Sequence, residues 1–188
     1  MISIGITGSY ASGKSYLLNL LSEQGFETFS CDKYVGELYQ QPSVQSQILK
    51  LIPDMTSFDI RKLAEKIYAD DNIRKKIEAL IHPLVLAHIL KFKENYARKK
   101  FVFIEVPLLF EAGWEIYFDY IITAFCSSES RLKHAMSKKN FDKNIYDKLE
   151  QIQFPQDEKM KRADFIINMD AKMLELKTQI SNILEKLQ

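Results

Sequence analysis

Residues 8–15, Gly-Ser-Tyr-Ala-Ser-Gly-Lys-Ser, sit between a β-branched run and a leucine-rich helical pattern, and no other feature restricts this chain as strongly. The pattern G-x-x-x-x-G-K-[ST] makes an anion cradle of inward-pointing backbone N–H groups only when a strand feeds it and a helix leaves it. Both flanks qualify. Residues 2–6 are short, apolar and β-branched, and residues 14–24 carry Leu17, Leu18, Leu20 and Leu21 at helical spacing. The chain is therefore expected to open as strand, loop, helix and to hold a nucleoside triphosphate. Gly8, Ser9, Tyr10, Ala11, Ser12, Gly13, Lys14, Ser15 and Tyr16 form the expected nucleotide-binding stretch. Lys14 is expected to reach the β- and γ-phosphates, and the Ser15 hydroxyl to ligate Mg²⁺.

The remaining pattern says what surrounds that loop. Gly25 ends the first helix, residues 26–31 read as a second strand, and residues 33–40 read as a helix up to Pro42. Residues 43–99 contain no convincing strand; their apolar residues recur at helical intervals interrupted by Pro53 and Pro83. Residues 101–106, 120–125 and 164–168 are short apolar runs typical of strands buried on both faces. Between the last two, residues 128–162 are rich in Lys and Asp and are expected to form surface helices. Residues 173–187 close the chain as an amphipathic helix with Leu174, Ile180, Ile183, Leu184 and Leu187 inward. Strands alternating with helices predict an α/β fold, a parallel sheet covered on both faces. The expected division is a nucleotide-binding core of residues 1–40, 101–127 and 163–188, a helical acceptor-binding insertion of 41–100, and a lid of 128–162.

Composition narrows the partners. With Lys+Arg 26 against Asp+Glu 25 and a net charge of +1, the 188-residue chain lacks the excess positive charge on which nucleic-acid binding depends. No apolar run approaches the roughly 20 residues of a membrane span. The N-terminus has neither the basic leader nor the cleavage site of a signal peptide, and Cys31 and Cys126 stand far apart without metal-site spacing, so a reducing cytoplasm is expected. Small-molecule partners, no nucleic acid and no membrane are the expectation; the sequence leaves the oligomeric state open, with a monomer favoured.

A phosphate loop alone leaves kinase, GTPase and ATPase open, so the carboxylates must decide. Asp32 follows the second strand directly, where the carboxyl ends of parallel strands line the ligand crevice. It suits a base that takes a proton from an attacking hydroxyl, or the N-cap of the helix starting at Lys33. Glu105 ends the third strand, as a Walker-B carboxylate that holds the metal or as half of a salt bridge with a lysine. No Asn-Lys-x-Asp guanine-reading stretch occurs.

At these residues the chain resembles the dephospho-CoA kinase family. Residues 5–15 look like that family's opening strand and loop, and Asp32 lies where its catalytic Asp follows the second strand. Residues 78–83, Glu-Ala-Leu-Ile-His-Pro, resemble its His-Pro signature, and residues 107–111, Pro-Leu-Leu-Phe-Glu, match its segment of that sequence. Gln153 and Lys159 with Arg162-Ala163-Asp164 resemble the end of its lid. The resemblance implies a P-loop kinase that transfers the γ-phosphate of ATP, with Mg²⁺, to the ribose 3′-hydroxyl of dephospho-CoA. It further implies Asp32, Lys14 and Arg131 as catalytic residues, Ser15 and Glu105 at the metal, and Asp32, His82, Pro107, Leu108, Leu109 and Glu111 at the acceptor.

The chain departs from the family pattern in places. Ser30-Cys31-Asp32 stands where the family commonly has Asp-Ala-Asp, Gly36 replaces an arginine, and Ala135 replaces a second lid arginine, leaving Lys138 or Lys139 as substitutes. Ser9 and Ala11 stand where glycine is usual, which bears on any positive φ in the loop. Another nucleoside or nucleotide kinase, or an ATP-binding protein without catalysis, are the alternatives these departures keep open. Elsewhere, His82 before Pro83 also fits a plain helix break, Arg98-Lys99-Lys100 a solvated helix end, Arg74 a surface ion pair, and Trp114 packing near Phe110.

Overall fold

The opening strand β1 (Ile2–Thr7) occupies the middle of a five-stranded sheet in the computed structural model, which describes residues 1–139 and 141–187. The strands β2 (Glu27–Ser30), β3 (Phe101–Glu105), β4 (Tyr120–Phe125) and β5 (Phe165–Asn168) complete it in the order β2-β3-β1-β4-β5, and every pairing is parallel. This parallel α/β sheet is the expected fold class. The register sets Ile6 beside Glu105 and Ser30 beside Glu105, so the C-terminal ends of β1, β2 and β3 lie level.

The chain divides into two compact units, residues 1–30 with 96–188 and residues 31–95. In the first unit, α1 (Lys14–Glu23) and α9 (Met173–Lys186) cover one face of the sheet, where Ile4, Ile6, Phe103, Ile122 and Ile167 meet Leu17, Leu21, Leu176 and Ile180. Each such side chain, removed from water, contributes roughly 1.5–3 kcal/mol against the entropy of ordering. On the opposite face Leu109 and Phe118 press against Gly5, where a Cβ would lie 2.7 Å from Leu109 Cδ1. The same unit contains α6 (Ser128–Met136), α7 (Lys143–Ile152) and α8 (Gln156–Arg162), with α8 tied to β4 by the Thr123 hydroxyl donating to the Lys159 carbonyl at 3.2 Å.

The second unit is helical: α2 (Cys31–Leu38), α3 (Pro42–Leu51), α4 (Ile60–Ala69) and α5 (Asp71–Asn95), with α5 packed against the other three. Pro42 opens α3 at a position whose N–H has no partner in a helix anyway. Asp59 caps α4, its carboxylate accepting from the N–H groups of Arg61 and Lys62.

Several sequence expectations need correction. Pro83 does not interrupt its helix; α5 runs through it for 25 residues. Ile77, Ile81, Val85 and Ile89 recur every four residues and are all buried, so side-chain packing offsets the hydrogen bond that Pro83 forfeits. Leu174, expected inward, is 78% exposed in the first turn of α9, and Leu176 is buried in its place. Residues 128–162 are not only surface helices, since Arg131, Tyr146, Gln153 and Lys159 are buried within them. By compactness the chain divides at 30/31 and 95/96, α2 packing on α5 within the second unit, while the functional division expected from sequence runs at 40/41 and 100/101. The expected ranges 128–162 and 163–188 also contain Asn140 and Gln188, which lie outside the described residues.

Candidate active site

The loop between β1 and α1 owes its path to three left-handed residues. Gly8 has φ +147, Gly13 has φ +94 and Ala11 has φ +60. Gly8 admits no side chain: a Cβ there would lie 2.4 Å from the Ala124 carbonyl oxygen and 2.6 Å from Ser12 Oγ. Ala11 takes its strained conformation without being glycine, which answers the question raised by its sequence; Ser9 avoids the left-handed region.

Three features of the loop suit an anion. Gly13, the N-cap of α1, has no side chain to occupy the first-turn N–H groups, which remain aimed along the helix axis. Ser12 is fully buried and its Oγ finds no hydrogen-bond partner among the described residues. Lys14, 7% exposed, folds back so that its ammonium donates to the carbonyls of Gly8 and Ser9 at 3.0 and 2.9 Å. Tyr16, by contrast, is 48% exposed on α1.

Glu105 closes the floor beside this loop. It is 1% exposed, and its two carboxylate oxygens accept from the hydroxyls of Ser15 at 2.9 Å and Ser30 at 2.7 Å. The charge is thus met by hydroxyls rather than by the lysine considered from sequence. A hydroxyl and a carboxylate in contact are the oxygen ligands a small hard cation takes while keeping waters and substrate phosphate in its remaining positions. Among the described residues, no group of three or more His, Cys, Asp or Glu side chains forms a metal cage. Ser30, where the family pattern has a carboxylate, instead donates its hydroxyl to Glu105.

Residues 107–111 follow β3. The Pro107 carbonyl accepts from Thr7 Oγ1 at 3.2 Å and from Lys159 Nζ at 2.9 Å. Leu108 is half-buried, whereas Leu109 is fully buried against Gly5 and serves the core. Glu111 Oε1 accepts from the Phe154 N–H at 2.7 Å and from the Lys159 ammonium at 2.9 Å. Leu109 packs in the core and Glu111 Oε1 is held by these two donors, while Glu111 Oε2 is buried with no hydrogen-bond partner among the described residues. Burial holds the Lys159 ammonium below its ordinary pKa, with Glu111 opposing that shift.

Residues 128–162 reach the loop from the other side. Arg131 is 6% exposed and donates to Glu150 on α7. Burial opposes its charge, but the hydrogen bond and field of Glu150 hold its pKa above the usual value. Lys138 places its ammonium 4.3 Å from the centroid of the Tyr10 ring, while Lys139 is exposed. The neighbouring Cys126 thiol is pushed up to about 11 by burial, which leaves it neutral and unsuited to act as a nucleophile.

In the helical unit, Asp32 lies exposed in the first turn of α2, which begins at Cys31; the N-cap position expected for it belongs to no helix starting at Lys33. His82 is half-buried on α5, and burial lowers its pKa while Glu78 partly opposes the shift. Arg74 pairs with Glu78 at 2.9 Å and with Asp71 at 3.3 Å, the surface ion pairs its spacing suggests. Sequence reasoning assigned no site role to His134 or Ser30, because nothing local marks a side chain whose partner is distant in the chain.

The dephospho-CoA kinase family model matches residues 2–175. A dephospho-CoA kinase of Rickettsia typhi is 46% identical over 188 residues, covering 100% of this chain and 98% of the relative. A solved protein of Thermus thermophilus superposes with a TM-score of 0.83 at 28% identity, covering 100% of this chain and 98% of that one. The fold is shared with a dephospho-CoA kinase of Campylobacter jejuni, at a TM-score of 0.65 and 23% identity over 98% of this chain and 96% of the other.

Proposed function

The chain belongs to the dephospho-CoA kinase family, and from that premise we propose how its residues divide the transfer of the γ-phosphate of ATP to the ribose 3′-hydroxyl of dephospho-CoA, the last step in making coenzyme A. The single observation that carries the proposal is the hydrogen-bonded Ser15–Glu105–Ser30 triad beside the residue 8–15 loop, in which Glu105 and Ser30 are buried and Ser15 is exposed. It joins a phosphate cradle to a cation-competent hydroxyl and carboxylate.

In this reading the loop amides and the N-terminus of α1 hold the polyphosphate, and Lys14 exchanges its two carbonyl partners for phosphate oxygens. Ser15 and Glu105 would hold Mg²⁺, which supplies charge neutralisation at the phosphates when bound. Ser30 keeps Glu105 oriented. Arg131, held by Glu150, spreads charge from the transferred phosphoryl group, and Lys138 takes the place of the second lid arginine. Asp32 accepts the proton of the attacking hydroxyl, the role that its place two residues after β2 supports. Because transfer of a phosphoryl group asks little covalent chemistry of the protein, positioning and electrostatics carry most of the rate.

The helical unit, with His82, is the acceptor-binding part, and residues 128–162 form the lid that keeps water from the phosphoryl group. In the segment 107–111, Pro107, Leu108 and Glu111, the last through its unpartnered Oε2, are the candidates for acceptor contact, with Leu109 packed behind them. No helix among the described residues is long and apolar enough to cross a membrane. With both cysteines buried, a cytoplasmic setting suits the chain.

The test is ADP release from Mg²⁺-ATP with and without dephospho-CoA, for the wild type and Asp32→Asn. Dephospho-CoA-dependent turnover that falls about 10²–10⁴-fold in the variant, with ATP affinity retained, supports the assignment. Turnover with a nucleoside in preference to dephospho-CoA overturns the acceptor, and an unaffected Asp32→Asn overturns the base.

A further inference from the structure

Contacts from residues 128–162 to the nucleotide loop converge on two adjacent residues. Gln153, at the C-terminal end of α7 and 8% exposed, accepts a hydrogen bond from the Tyr10 N–H through Oε1 at 2.9 Å. The Tyr10 ring meets Tyr146 edge-on, with centroids 6.0 Å apart, and lies 4.3 Å from the Lys138 ammonium. The next residue, Ala11, gives its carbonyl to His134 Nδ1–H at 3.2 Å. These two hydrogen bonds bracket Tyr10 and Ala11 from both sides.

Ala11 is also the residue whose backbone is least at ease. Among the described residues it is the non-glycine with a positive φ, +60, a region where Cβ crowds the following carbonyl. Such a conformation persists only where the surroundings over-determine it. The groups that do so come mostly from 128–162 rather than from the loop. A glycine at this position would need no such support.

We propose that Gln153 is a positioning residue that, with His134, holds the nucleotide loop in the conformation that accepts phosphate. The phosphate cradle is thereby conditional on how residues 128–162 are seated, and by reciprocity bound ATP favours their seating. This rests on the reading of residues 8–15 as the ATP site.

The experiment measures ATP affinity by calorimetry, with Mg²⁺ and without acceptor, and the exchange rate of the Tyr10 amide hydrogen in the nucleotide-free protein. Gln153→Met keeps the side-chain length and removes the acceptor; it is expected to weaken ATP binding about five-fold, the equivalent of one lost hydrogen bond, and to speed Tyr10 exchange. Gln153→Glu keeps an acceptor oxygen and is expected to stay within about three-fold of the wild type. Adding Ala11→Gly to Gln153→Met is expected to restore most of the affinity, because glycine adopts the loop conformation unaided. His134→Ala, at an exposed position, is expected to weaken binding in the same direction and to be rescued by the same glycine, which keeps the test open should Gln153→Met fold poorly.

Wild-type affinity in Gln153→Met, or a loss that Ala11→Gly leaves untouched in both backgrounds, overturns the positioning role. Lys14→Ala separates the two levels. If it binds ATP as tightly as the wild type, the loop assignment itself fails; if it loses binding while Gln153→Met does not, only the positioning role falls.

Discussion

The Lys159 ammonium, on a residue with no solvent exposure, lies 2.9 Å from Glu111 Oε1 and 2.9 Å from the Pro107 carbonyl oxygen. That one contact joins the segment after β3 to the helix that precedes β5. Glu111 Oε1 thereby answers a buried cation and accepts from the Phe154 N–H as well, while Oε2 is buried with no hydrogen-bond partner among the described residues.

Breaking this pair from one side leaves a buried charge without its partner. Lys159→Met is expected to destabilise the protein by about 3 kcal/mol in urea titrations. The double variant Lys159→Met/Glu111→Gln is expected to cost less than the sum of the single changes. Additive losses would show that the two side chains are not coupled.

Ser30 is expected to matter through Glu105. Ser30→Ala removes the hydroxyl that donates to Glu105 Oε2 at 2.7 Å and frees the carboxylate to reorient. The Mg²⁺ concentration for half-maximal turnover is expected to rise about ten-fold, and the loss of a donor to a buried carboxylate to cost about 1–3 kcal/mol of stability. A Mg²⁺ titration of wild type and variant measures it.

His82 sets a pH dependence of stability. Burial places its folded pKa below the ordinary 6.5, with Glu78 opposing. Between the folded and unfolded values the unfolded chain binds more protons, so stability rises with pH across that window and is lost as pH falls below about 6.5. His82→Gln is expected to remove that part of the slope. Denaturation midpoints of both proteins between about pH 7.5 and pH 5 supply the difference.

Two glycines are expected to respond oppositely to alanine. Gly8→Ala forces a Cβ to 2.4 Å from the Ala124 carbonyl at φ +147, and is expected to cost about 2–3 kcal/mol and to abolish ATP binding. Gly36 lies within α2 with nothing inside 4 Å of its Cβ position, so Gly36→Ala is expected to stabilise by about 0.5–1 kcal/mol. Thermal unfolding distinguishes the signs.

The face of α9 is testable in the same way. Leu176 is 3% exposed and Leu174 78%. Leu176→Ala is expected to cost about 2–4 kcal/mol, and Leu174→Ala to stay within about 0.5 kcal/mol of the wild type.

What the sequence determined by itself was local. The glycines and lysine of residues 8–15 stand between a β-branched run and leucines at helical spacing, and periodicity with turn chemistry is written in neighbouring residues. The five strands, α1 and the phosphate loop were therefore legible, as was the chemistry the loop serves. Tertiary structure decided which distant polar groups meet. Ser15 finds Glu105 across 90 residues and Tyr10 finds Gln153 across 143, and no local signal encodes either pairing. It also overruled local preference where packing was stronger: α5 continues through Pro83 because its four buried aliphatic residues stay on one face. Leu174 faces water because the first turn of α9 reaches the sheet through Leu176, a choice made by where the helix lands rather than by its own periodicity. Local order follows from the chain's own sterics and hydrophobic spacing; the partners of buried charges follow from a global packing in which each such group must find a counterpart.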